Sequence, residues 1–324
     1  MKYKKKLTIL FSITAGLAIA FICSLIFSPE RMNTRSSLYT WLDPKLAESA
    51  EKIVLWNKSE TINLIRKNNA WYVKKDETEY PAKQLRIADL IAALTRHAAF
   101  PVRTGSESAF ERLGVDESAA SKITVAGPYG QVLLELLIGN GDALGQNIYL
   151  RKSGTSEVRS GEDKISAYLF GGLKSWFNLK LIPENEDNQM DIDKVQRMSV
   201  FSSEAETGGS TGSLVFSRKG RQWTFNNIDD AELDMEKVDA YVRAVLYAEG
   251  DEFSTEVLPN DPVLKDSRIM IEFGNGSVKT IYLSAAQDDR RRYATVSGSD
   301  LVYSLAEWMA ARLFNTADYF KKEQ

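Results

Sequence analysis

Residues 67–73 read KNNAWYV and residues 219–225 read KGRQWTF. Each is a basic residue, then polar or turn-forming residues, then a tryptophan followed by strand formers. One echo alone means little, but here the flanks repeat in the same order, and that constrains the fold more than any other feature. After each tryptophan comes an amphipathic helix. Its apolar positions are Ile87, Leu90, Ile91 and Leu94 in the first half, and Val238, Tyr241, Val242 and Val245 in the second. Both sets follow the i, i+3, i+4, i+7 spacing of one helical stripe. Asp234 is the expected N-cap of the second helix, and Phe100 and Phe253 close the two segments.

A strand pair follows in each half. Ile123–Val125 leads through AGPYG to VLLELLI (132–138), and Ile269, Ile271 and Phe273 lead through GNG to SVKTIYL (277–283). Asn275-Gly276 is expected to form a type I′ turn, which needs two positive φ angles. Tyr149 and Tyr293 then take like positions on a further short strand. A second helix is expected from Ile165, Leu169, Leu173, Trp176 and Phe177, and again from Leu301, Leu305, Trp308, Met309 and Leu313 with Ser299 as its cap. The dipeptide Phe-Asn recurs at 177–178 and 314–315.

The expected fold class is α+β. An N-terminal transmembrane helix precedes two tandem repeats, each β-β-β-α-β-β-β-α, with antiparallel sheets and helices packed on one face. The repeats span 50–183 and 195–320. A linker occupies 184–194, a juxtamembrane segment 31–49 and a tail 321–324. KGRQWTF is then the second repeat's first hairpin, with Lys219-Gly220 as its turn and with Trp223 and Phe225 facing a core.

The membrane segment rests on the first thirty residues. Lys2, Lys4, Lys5 and Lys6 precede an uncharged run from Leu7 to Phe27. At roughly 1.5 Å per residue this run spans about 30 Å, a bilayer's hydrocarbon thickness. It is longer than a signal-peptide core, and SPERMN after it offers no small-x-small cleavage site. The lysines place the N-terminus in the cytoplasm and the body outside. Cys23, the sole cysteine, lies in the run after the bulky Ile22, so it does not fit lipoprotein acylation, and the body has no thiols. Residues 1–30 carry a net +3 against −3 for the whole chain, leaving −6 on the body. That sign argues against nucleic-acid binding.

The pattern resembles a bacterial family catalogued as domain of unknown function 4340. The matching stretches are NNAWYV, DLIAALTRHAAFPV, FERLGVDES, and LLIG followed by NIYLR. The family usually has Tyr-Gly-Leu-Asp where this chain has Leu113-Gly114-Val115-Asp116. These are packing and turn motifs, and none is catalytic. Members are often encoded beside ABC-type transporter components related to gliding-motility and exopolysaccharide systems, which implies an auxiliary extracytoplasmic role.

The residues themselves offer little chemistry. His97 is the only histidine, so a Ser-His-Asp triad or an imidazole metal site would have to use it. It is expected in the first helix, exposed or half-buried. EDNQMDID (186–193) lacks the sixth-position glycine and twelfth-position glutamate of a calcium loop. GNGDALG (139–145) lacks the Lys-Ser/Thr of a phosphate loop and reads as a hairpin loop. Arg290, Arg291 and Arg292 follow two aspartates and are expected to be neutralised at a hairpin tip; the alternative is contact with a partner or anionic headgroups. No catalytic, cofactor or metal residue is assigned.

The expected function is a non-enzymatic, membrane-tethered extracytoplasmic interaction module, an accessory of a transporter or envelope assembly. It would contact lipid through Leu7 to Phe27 and a protein partner through its body. The alternative is a protein holding a glycan or small solute between its two lobes, with Trp56 or Tyr129 stacking on a sugar. A hydrolase using an acidic pair is the third class.

Overall fold

The computed structural model describes residues 37–162, 164–182, 192–202, 214–226, 228, 232–287 and 290–322. The chain divides into two compact units between Asn178 and Leu179. It is mixed α/β, with antiparallel sheets and few helices.

In the first unit β1 (Leu38–Tyr39), α1 (Pro44–Glu48), β2 (Lys52–Trp56), β3 (Thr61–Lys67), β4 (Ala70–Lys75) and β5 (Thr78–Pro81) lead to α2 (Gln84–Thr95). Then come β6 (Ala98–Ala99), β7 (Val102–Thr104), α3 (Phe110–Leu113), β8 (Ser121–Ala126), β9 (Val132–Gly141), β10 (Asn147–Lys152), β11 (Val158–Glu162) and α4 (Ala167–Phe170). Nine strands form one sheet in the order β5-β4-β3-β2-β8-β9-β10-β11-β7, while β1 pairs separately with β6. The α2 connection thus carries the chain from one edge of the sheet to the other, and β8 returns to its centre.

The second unit contains β12 (Val195–Ser202), β13 (Leu214–Lys219), β14 (Gln222–Phe225), α5 (Met235–Leu246), β15 (Glu252–Ser254), β16 (Ser267–Phe273), β17 (Val278–Leu283), β18 (Arg292–Val296), β19 (Val302–Leu305) and α6 (Glu307–Leu313). Its sheet runs β14-β13-β12-β16-β17-β18-β19-β15. Laid beside the first sheet, this is the same order strand for strand, with β5 extra in the first unit.

Alternation explains why these segments are strands. In β2, Ile53 and Leu55 are buried; the register sets Ile53 against Leu64 and Val125, and Leu55 against Ile62 and Ile123. Val73 and Leu134 extend the first row. Period-2 apolar residues therefore meet on one face across five strands, and each fully buried side chain is worth about 1.5–3 kcal/mol. Ile87, Leu90 and Leu94 of α2 are fully buried, as are Val238, Tyr241, Val242 and Val245 of α5. Asp234 caps α5, accepting from the Glu236 and Lys237 amides.

Several local expectations are corrected. Each sheet has more strands than the expected three and three: β7 and β15 follow the long helix, and β11 and β19 close the second meander. Residues 302–305 are a strand, not the start of a helix. All four are buried, on both faces of the strand, and a short run with no alternation does not distinguish strand from helix by period. Ser299 caps nothing helical; its hydroxyl accepts from the Leu301 amide in a turn. The expected helix over 165–177 is the four-residue α4 plus a 3-10 turn at Leu173–Trp176, broken at Gly172 with φ 69°.

Asn275 does not have positive φ; Gly276 alone does, at 80°. The type I′ pattern belongs instead to Asn68-Asn69, with φ 49° and 63°. At the second Trp hairpin the turn is Gly220-Arg221, since Lys219 is already paired with Gln222; Gly220 has φ 64°. The Phe-Asn repeat is coincidental. Trp176 O accepts from Lys83 N at 2.8 Å just before α2, and Phe320 O accepts from Asp234 N at 2.8 Å just before α5, so Phe320 is the counterpart of Trp176.

Among the described residues no helix is long and apolar enough to cross a membrane. The Leu7–Phe27 run lies outside the described residues.

Candidate functional site

The two tryptophans occupy the same place in their sheets. Trp71 stands opposite Arg66 and Trp223 opposite Arg218, each one step from a two-residue turn. Both are buried, at 7% and 1% exposure. Hairpin geometry turns the backbone amide and carbonyl of each outward from its partner strand. In the first unit the Gln84 side chain grips them: Trp71 N donates to Gln84 Oε1 at 2.9 Å, and Gln84 Nε2 donates to Trp71 O at 2.9 Å. The helix register aligns Gln84 with Met235, which cannot make this grip. There Trp223 is held through its indole, whose Nε1 donates to Asp239 Oδ1 at 2.8 Å, with Arg218 stacked 5.4 Å from the ring centroid. Phe216, Phe225, Tyr241 and Phe320 pack beside one another with centroids 4.6 to 5.6 Å apart. Burial raises the Tyr241 hydroxyl far above its ordinary value, and the hydroxyl donates to Leu313 O at 2.8 Å. Burial likewise pushes Tyr303 up to about 12.

Three further sequence stretches converge at one point of the first unit. FERL forms α3, and Gly114 ends it with φ 72°, a left-handed cap. Gly139 of LLIG lies against that cap so closely that a β-carbon there would sit 2.3 Å from Leu113 O. Arg151 of NIYLR fills the junction at 3% exposure. Its Nε donates to Val115 O at 3.0 Å, one Nη to Thr155 O at 2.8 Å and the other to Glu117 Oε1 at 3.1 Å. Its guanidinium lies 4.1 Å from the Phe110 centroid. A buried cation with each of its three nitrogens donating is a structural pin.

Beside this junction is a cavity of about 570 Å³ whose lining includes Lys58, Ser59, Glu111, Asn140 and Phe170. The buried Asn57 shapes it. Asn57 Oδ1 accepts from Ser59 N, Ser59 Oγ and Glu60 N, and its Nδ2 donates to Leu169 O at 2.6 Å. That ties α4 to the β2–β3 turn, with Leu169 inward and the next residue, Phe170, outward at 67% exposure. A second cavity of about 570 Å³ lies in the other unit beside Trp223, Met235 and Lys322. It occupies the place where Gln84 reaches across in the first.

The remaining candidates are dispersed. His97 lies beyond the end of α2, exposed, with Nδ1 3.1 Å from Thr40 Oγ1. Trp56 is half-buried at one end of β2, and Tyr129 is fully exposed beyond the opposite end of the neighbouring β8. They do not form a shared stacking platform. Each arginine of the triplet has a partner: Arg290 pairs with Glu307 at 3.1 Å, Arg291 with Glu252 at 3.3 Å, and Arg292 donates to Ser284 O at 3.0 Å. Asp288 and Asp289, and most of EDNQMDID, lie outside the described residues. Of GNGDALG, expected as a hairpin loop, Gly139–Gly141 end β9 and only DALG lies in the β9–β10 turn, which Asp142 organises. Its Oδ1 accepts from Leu144 N at 3.2 Å and Gln146 N at 2.9 Å, and its Oδ2 from Asn147 Nδ2 at 2.8 Å. The Asn147 side chain first, then the backbone amides, hold this carboxyl below its ordinary value. Among the described residues no three His, Cys, Asp or Glu side chains converge as metal ligands would.

No curated protein matches this chain. A known family does match: residues 71–262, from Trp71 itself across both units, fit the family described as "Domain of unknown function (DUF4340)". The match covers more than half of the 324 residues, and the stretches that converge on Arg151 lie inside it. The chain belongs to that family.

Proposed function

We propose that the protein is a non-enzymatic interaction module, tethered to the membrane by Leu7–Phe27, with its body outside the cytoplasm. It would serve a transporter or envelope assembly as an accessory subunit. The two units descend, in this reading, from one duplicated sheet-and-helix ancestor, and α2 and α5 keep the same station in each.

One observation carries the reading: both hairpin tryptophans and the arginine of NIYLR are taken up in packing, the arginine triplet meets groups of its own chain, and His97 and Tyr129 stay exposed and apart. Trp71, Trp223 and Arg151 are buried with their polar groups or backbones gripped, and the arginine triplet is paired. What such a body offers a partner is shape and exposed surface. Photo-crosslinkable residues placed at exposed positions of the full chain, in its native membrane, test this. A discrete adduct of constant mass is expected from a subset of positions. Adducts from no position would overturn the proposal.

A second reading is favoured by the first-unit cavity. Its volume is that of a small-molecule site, and Phe170 with Asn140 and Glu111 offers one aromatic face and hydrogen-bonding groups to a sugar. Thermal shift of the full chain against envelope glycans distinguishes it: a saturable rise that Phe170→Ala abolishes favours the glycan.

A further inference from the structure

The point at which the chain enters the first unit says which end of that unit is nearest the apolar run. Ser37 O accepts from Phe100 N at 2.8 Å. The Phe100 ring lies on Gly161, where a β-carbon would be 2.4 Å from it. Gly161 pairs with Ile148 on β10, and Ile148 with Gly141 at the end of β9. The chain therefore enters at the end of the sheet that carries the β9–β10 turn. Residues 28–36 separate Phe27 from Ser37, and nine residues reach at most about 33 Å.

Two large apolar side chains project from this same end. Leu144, at 79% exposure, sits in the β9–β10 turn, which Asp142 holds by three hydrogen bonds. Phe170, at 67%, shares the cavity lining with Asn140, the residue next to Gly141. Asn57, by tying Leu169, keeps Phe170 turned outward. Both are held in place, so exposing them is a feature of the fold rather than of a mobile loop. Exposed apolar side chains on a tethered body, within reach of the bilayer, are suited to its headgroup region, where such groups gain by partial burial.

Resting on the tethered reading above, we infer that this end of the first unit lies on the membrane surface, with Leu144 and Phe170 set among the lipid headgroups. Tyr129 supplies an internal control. It is fully exposed and sits past the start of β9, whose ten residues put it roughly 33 Å from the other end.

The test uses the full chain with Cys23→Ser, reconstituted in vesicles whose lipids carry a nitroxide at the headgroup. Leu144→Cys, Phe170→Cys and Tyr129→Cys are each labelled with an environment-sensitive fluorophore. The expected result is quenching several-fold stronger at 144 and 170 than at 129. Equal quenching at all three, or stronger quenching at 129, overturns the inference. Carbonate extraction of the same vesicles separates the two levels. If the chain stays with the lipid and 144 and 170 are unquenched, only the inference fails. If the chain is extracted, the tether fails and the inference falls with it.

Discussion

At the scale of single residues, Arg151 and Gly139 join stretches far apart in sequence. Arg151→Ala leaves Val115 O and Thr155 O without their donor and opens the Phe110 contact; the expected loss is about 2–4 kcal/mol by denaturant unfolding. Glu117 is 46% exposed, so Glu117→Gln should cost less than about 1 kcal/mol. The contrast matters: equal losses would mean the ion pair, not the buried hydrogen bonds and stacking, holds the junction. Gly139→Ala would drive a β-carbon against the Leu113 carbonyl, which is backbone and cannot swing aside, so about 1–3 kcal/mol should be lost. All three stretches stand out in the sequence, but that they meet does not. Nothing local in LLIG or NIYLR announces a contact with a turn some thirty residues earlier, because only strand pairing brings them together.

At the scale of elements, the two long helices differ at their starts. Asp234 caps α5 with its carboxylate, whereas Lys83 at the same position before α2 makes no side-chain cap, though its backbone is similarly extended. Asp234→Ala should therefore cost about 0.5–2 kcal/mol, and Lys83→Asp should stabilise the first unit by a similar or smaller amount; thermal unfolding of both variants checks the pair. The β9–β10 turn makes a pH prediction. The Asp142 carboxyl is held below its ordinary value in the folded chain, so its stabilising effect is present above that ordinary value and is lost as pH falls through the lowered one. Asp142→Asn should flatten this acid limb of the stability curve and leave the alkaline limb unchanged.

The elements also show what was legible. The amphipathic helices and the Trp hairpins could be read from period and turn residues, since each apolar stripe faces the core of its own unit. Strand β19 could not. It is buried at all four positions, on both faces, so it carries no alternation. The turn at Asn275-Gly276 differs for another reason: the four residues between β16 and β17 use the same dipeptide with only the glycine in left-handed space. Short edge strands such as β7 and β15, three residues each, carry too few side chains to show any period.

At the scale of the whole molecule, the same strand order recurs in two units while individual contacts are exchanged. Gln84 grips the first tryptophan's backbone; Asp239 holds the second tryptophan's indole. That is expected if the order of elements is under tighter physical constraint than any one hydrogen bond, because strand order is set by the whole apolar face. The candidate cavity was not legible from sequence. It forms between Phe170, Asn140 and the β2–β3 turn, which no motif connects, whereas Trp56 and Tyr129, attractive as aromatics, lie at opposite ends of paired strands.

Denaturant unfolding of the full chain carrying Trp71→Ala or Trp223→Ala is the most direct test that this is a doubled scaffold. If both indoles are core, each variant loses about 3–5 kcal/mol. Either variant unfolding within about 0.5 kcal/mol of the parent, as surface substitutions do, would contradict the account.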